Sequence, residues 1–163
     1  MTEAPSPIRP TSSEAFQLCK ALLSASRFAA LAVLHPESNA PYVSRIGFVA
    51  NKDMTPFTLI STLATHTQAL QKNPNCSLLI GEPEECGDPL SHPRLTLIAR
   101  AHFIAQEASN YDAIRSQYLA VIPKAKLYVD FGDFSFVSFE INRIDLNGGF
   151  GKAFRIDPME LQD

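Results

Sequence analysis

Between positions 60 and 70 the chain reads ISTLATHTQAL. Four hydroxyl side chains, Ser61, Thr62, Thr65 and Thr67, and one imidazole, His66, gather where a hydrophobic strand-like run gives way to a helical pattern. Thr65 and Gln68 have the S/T-x-x-E/Q spacing that opens helices, with Ala69 and Leu70 behind and Asn73-Pro74 as a stop. A helix N-terminus leaves N–H groups without partners and carries the positive end of the peptide dipole, which suits a phosphate. Ser61 and Thr62 at the strand end, and Thr65 and Thr67 in the first helical turn, would add O–H donors to the same oxygens, and His66 a ring N–H. The alternative is that Thr65 caps the helix while the other hydroxyls are solvated; spacing alone leaves both open. Arg45, in VSRIGF, sits within a mostly apolar strand, where burial without an anion would be costly. Either it completes an anion clamp beside Ser61, or it points outward with its stem along the sheet.

Other chemistry is less well supported. NGGFGKAF at 147 to 154 resembles a nucleotide loop, but a Walker loop ending at Gly151-Lys152 needs glycine at Leu146 and a hydroxyl at Ala153, and GxGxxG spacing is absent. Its glycines fit a turn with positive φ or a close approach to a partner chain or ring. His35, His66, His92 and His102 form no HxH or HExxH pattern, and Cys19, Cys76 and Cys86 form no CxxC, so no metal site is expected. No GxSxG supports a protein-borne nucleophile, and the catalytic residues stay unassigned.

Positioning such residues takes a packed scaffold, and 163 residues with 45% hydrophobic and 19% charged composition suffice for one soluble globular domain. A net charge of −3 gives no long-range field for nucleic acid, although a small anion can still be held locally. Three unpaired, widely spaced cysteines fit reduced thiols in the cytoplasm. FAALAVL, the longest apolar run, is too short to span a bilayer, and MTEAPSPIRPTSSE lacks the apolar segment of a secretion signal.

Residues 1 to 10, with three prolines, are expected to form a flexible arm. A helix follows to about residue 25, opened by Thr11 and Glu14 at capping-box spacing and facing a sheet with Phe16, Cys19, Leu22 and Leu23. Segments 28 to 34, 42 to 50 and 57 to 63 read as a β-meander, separated by HPESNAP and NKDMTP turns. A short helix is expected over 66 to 72, a buried strand over 77 to 81, and an alternating strand over 95 to 104. A third helix over 110 to 121 stops at Pro123, and the strand from 134 to 146 shifts apolar phase around Asn142 and Arg143, as a β-bulge requires. About six strands with short helices, without regular βα alternation, point to a mainly β (α+β) chain closed into a small antiparallel barrel, which removes exposed edges.

The order FAALAVL, turn, PYVSRIGFVA, then FTLISTLATHTQALQKNPNCSLLI and RLTLIARAHF resembles the FMN-binding split-barrel family of pyridoxamine 5′-phosphate oxidase and its relatives, over nearly the whole chain. PKAKLYVDFGDFSF and LNGGFGKAF are more similar to its haem-utilisation and haem-degrading subgroup. The resemblance implies a six-stranded antiparallel split β-barrel and a homodimer with two cofactor sites at the interface. It places Arg45 and Ile46 on the strand lining the flavin, and Ser61, Thr62 and Leu63 on the strand flanking the ribityl phosphate. Thr65, His66 and Thr67 fall on the phosphate-binding turn, Arg94 at a flavin-contacting position, and Phe150 and Lys152 where a partner chain reaches the site. FMN is the implied cofactor, oxidoreductase chemistry the implied activity, and haem the alternative cofactor. Thr65-His66 stands where the family commonly has an Arg-Lys pair, implying weaker FMN retention. The oxidase's C-terminal substrate motif has no match, and no histidine follows His102, so the C-terminal iron ligand of the haem-degrading relatives is not expected.

Overall fold

The computed structural model describes residues 8–161. It opens with a two-residue strand, β1 (Ile8–Arg9), so the last part of the expected arm is ordered against the sheet; residues 1–7 of that arm lie outside the described residues. The first helix, α1 (Ser13–Ala25), starts one residue later than the capping-box spacing suggests. Ser12 is the cap, its Oγ accepting the Ala15 N–H at 3.2 Å. Thr11 instead donates to the Arg155 carbonyl at 2.9 Å, tying the helix entry to a distant strand. Ala15, Cys19 and Leu23, spaced four apart, form the buried stripe.

The barrel is a ring of antiparallel pairings. Strand β2 (Phe28–Leu34) turns Ala29, Leu31 and Val33 inward and pairs with β3 (Pro41–Gly47). The expected single strand over 42 to 50 is broken at Phe48, whose N–H donates to the Arg27 carbonyl at 2.9 Å. Past the break, β4 (Val49–Ala50) changes neighbours and pairs with β5 (Pro56–Ser61). The ring then passes from β5 to β8 (Phe134–Asn147), to β7 (Arg94–Ile104), to β6 (Asn75–Ile80) and back to β2. Side chains from every part of the ring fill its interior, among them Leu31, Phe48, Leu78, Leu97, Phe139 and Ile144, all fully buried.

In β8 the phase shift is a bulge: Ile98 faces Arg143 and Ala99 faces Ile141, leaving Asn142 as the extra residue. The bend lets one long strand serve β5 at its start and β7 along most of its length. A glycine turn leads from β8 to β9 (Ala153–Ile156), with Gly149 at φ 113° and Gly151 at φ 68°, which L-residues avoid. The only parallel pairing described joins β1 to β9.

Two helices remain. Helix α2 (Thr65–Lys72) follows β5 directly, and α3 (Tyr111–Val121) continues into a 3₁₀ turn at Pro123–Leu127. Tyr118, Ala125 and Val129 pack on Val49, Phe57, Leu59 and Phe136, making a second small core outside the ring. Strand β5 is buried on both faces, with Ile60 in the ring, Phe57 and Leu59 under α3, and the buried Thr58 hydroxyl satisfied by the Gly47 carbonyl.

Candidate functional site

A cavity of about 570 Å³ opens beside the break between β3 and β4. Ile46, Leu59 and Ile60 from the sheet form one apolar wall, and Val121, Ile122 and Tyr128 from the α3 segment form another. Arg27, Arg45 and Lys124 bring three cations, and no carboxylate lines the cavity among the described residues. That donor set suits a flat apolar ligand with anionic substituents.

Of the residues expected to bind a cofactor, Arg45, Ile46, Ser61 and His66 line the cavity. Arg45 follows the outward reading: its side chain is 72% exposed, it lies over the Phe28 ring at 5.1 Å, and Glu82 approaches it only at 4.0 Å. The guanidinium is therefore held loosely at the rim. Ser61 is engaged within the protein, donating to Asp133 Oδ2 at 2.5 Å and accepting the Leu63 N–H at 3.1 Å. Thr67 is fully buried and donates to the Ser61 carbonyl at 2.6 Å.

Ala64 occupies the N-cap position of helix α2 and has no capping side chain, so Thr65 is the first helical residue and not the cap. Thr62, whose N–H donates to the Asp133 carbonyl at 2.7 Å, and Leu63, 82% exposed, form the turn between β5 and α2. His66 lies at the cavity with Nδ1 2.9 Å from Ser44 Oγ. Burial lowers its pKa below the ordinary imidazole value, keeping the ring neutral at neutral pH.

Three expected residues lie elsewhere in the chain's own fold. Arg94 donates to the Leu90 and His92 carbonyls at 3.0 and 3.2 Å, bracing the loop before β7. Phe150 projects fully into solvent from the glycine turn. Lys152 lines a separate groove with Arg9, Ser12 and Glu14 at the start of α1. The remaining histidines are also dispersed: His35 accepts turn N–H groups, His92 accepts the Glu84 N–H, and His102 pairs with Glu140 at 2.7 Å.

Sequence reasoning missed Arg27, Ser44, Tyr118, Lys124, Tyr128 and Asp133. Ser44 was legible only as the residue two before Ile46 on an alternating strand, hence on the same face. Tyr118 reads as an ordinary core-facing helix residue, which it is: burial raises its pKa to about 12, and its hydroxyl meets the Leu59 backbone and the Thr58 side chain. Arg27 caps the end of α1 by donating to the Ser24, Ala25 and Ser26 carbonyls, which also holds it beside the cavity.

Residues 16–148 match the pyridoxamine 5′-phosphate oxidase family, and the chain belongs to that family. Its sheet is the split barrel of related solved structures. The chain is 40% identical over 114 residues to the chloroplastic non-canonical heme oxygenase HOZ of Arabidopsis thaliana, a match covering 70% of this chain and 34% of that protein. A heme binding protein from Mycobacterium smegmatis superposes with a TM-score of 0.81 at 26% identity, over 95% of this chain and 61% of that one. A protein of unknown function from Agrobacterium tumefaciens superposes with a TM-score of 0.78 at 30% identity, over 97% and 64%. The chain thus spans about a third of the curated relative and under two thirds of these two structures.

Proposed function

We propose that the protein binds haem in the cavity between β3 and α3 and acts as a haem-handling member of its family. The observation that carries this reading is the division of labour among polar groups. Arg27, Arg45 and Lys124 stand at an apolar cavity, while Ser61 and Thr67, the hydroxyls best placed for a phosphate, donate to protein oxygens. The Asp133 carboxylate beside Ser61 opposes a dianionic phosphate there, whereas two separated carboxylates at a cationic rim match the propionates of haem. Relatives named for haem at 40% and 26% identity support the same choice.

Bound haem would supply redox-active iron; the chain supplies apolar walls that exclude water and cations that orient the macrocycle. Haemin titration of the full chain should give a saturable Soret change at one haem per chain, and Arg45→Ala with Lys124→Ala should weaken it several-fold or more. Tight FMN binding with only unsaturable haemin uptake would reverse the assignment.

FMN with oxidoreductase activity is the second reading, favoured by the turn from Ser61 to Thr65 running into the N-terminus of α2 beside the cavity. It requires that Arg45→Ala weaken FMN much more than riboflavin, which lacks the phosphate. The substrate on that reading is a small molecule of unassigned class.

The assembly we propose is a homodimer. The outer face of β3, β2, β6 and β7 carries Val43, Phe28, Leu79 and Ile98, each 39–63% exposed, and Arg45 lies on the same face. A second copy covering it would bury that apolar area and enclose the cavity. Cys19 and Cys76 are free and buried and Cys86 is free and exposed, which supports a reducing compartment such as the cytoplasm; no described helix is long and apolar enough to cross a membrane.

A further inference from the structure

Haem iron needs an axial donor, and the cavity offers a short choice. Among the described residues, no cysteine or methionine lines it. Tyr118 is held as a buried phenol by Leu59 and Thr58. Tyr128 packs its ring on Phe134 at 4.9 Å between centroids. His66 is the one histidine at the cavity among the described residues, and its Nδ1 is anchored to Ser44 Oγ at 2.9 Å while Nε2 has no described partner.

On the haem reading above, we propose that His66 Nε2 is the iron ligand and that Ser44 is its positioning residue. If Nδ1–H donates to Ser44 Oγ, the lone pair must reside on Nε2, and the hydroxyl fixes the ring plane as partners of metal-bound histidines generally do. Position favours it as well. His66 follows directly on the Ser61 turn, which Asp133 and Thr67 brace by hydrogen bonds, so the ring is carried on a rigid element.

The test is resonance Raman and absorption spectroscopy of the full chain reconstituted with haemin. Wild type should show an iron–histidine stretch when reduced. His66→Ala and His66→Gln should lose it, bind haemin about ten- to a hundred-fold more weakly, and regain the wild-type absorption spectrum with added imidazole. Ser44→Ala should keep the stretch but shift its frequency, a response that a purely structural role for Ser44 would not give. Retention of the stretch in both His66 variants, or a ferric iron–phenolate band in wild type that Tyr128→Phe removes, would overturn the ligand assignment while leaving haem binding intact. Absence of saturable haemin uptake by wild type would bring down the haem reading first and this inference with it.

Discussion

Thr67 illustrates, at the scale of one residue, how a hydroxyl in a ligand-like motif can be spent as a brace. It is fully buried and donates to the Ser61 carbonyl at 2.6 Å, so it locks the end of β5 to the first turn of α2. Thr67→Val keeps the shape but leaves that carbonyl unpaired; urea denaturation should show a loss of about 1–3 kcal/mol, whether or not a cofactor is present. His66 makes a pH-dependent contribution of definite sign. Its folded pKa lies below its unfolded value because burial disfavours the charged ring, so in the window between the two the unfolded chain binds the extra proton. Stability is full above the unfolded pKa, near 6.5, and declines as pH falls towards the folded value. Urea midpoints measured across that window should drop in wild type and drop less in His66→Gln. Equal slopes would mean that the ring is not desolvated as described.

At the scale of elements, the cavity exists because β3 and β4 are two strands where one apolar run suggested a single one. Gly47 sits just before the break, where an added Cβ would collide with the Tyr118 hydroxyl, and the Gly47 carbonyl accepts from Thr58 at 2.6 Å. The strand therefore turns from β2 towards β5 with α3 pressed against it. Gly47→Ala should cost about 1–3 kcal/mol by overpacking, and less in a Tyr118→Phe background, because removing the hydroxyl relieves the clash. A double-mutant cycle by chemical denaturation measures the difference; additivity would place the strain elsewhere. The bulge at Asn142 was legible because a change of apolar phase leaves a trace in the sequence, whereas the break at Phe48 was not, because Ile46, Phe48 and Val49 are apolar on either side of it and all become buried.

At the scale of the molecule, the proposed second copy would cover both the exposed apolar face and the loosely held Arg45. Val43→Glu together with Ile98→Glu should convert a dimer to a monomer in analytical ultracentrifugation and reduce haemin uptake, while leaving the circular dichroism spectrum unchanged. A wild-type chain that stays monomeric at high concentration would refute the homodimer. What the sequence determined by itself was local: the positions of the main strands and the three helices to within a few residues, though not β1, β9 or the break at Phe48, together with the bulge, the glycine turn and the cluster at Ser61 to Thr67. Those follow from side-chain periodicity and capping, which act between near neighbours. Only the tertiary structure decided which members of that cluster remained open to a ligand. Asp133 lies 72 residues from Ser61 and Ser44 lies 22 from His66, and no local pattern encodes pairings that exist only once the ring has closed. The cations were settled in the same way, since Arg27 just past α1, Arg45 on β3 and Lys124 in the 3₁₀ turn after α3 come from three separate segments and line one cavity only in the folded chain.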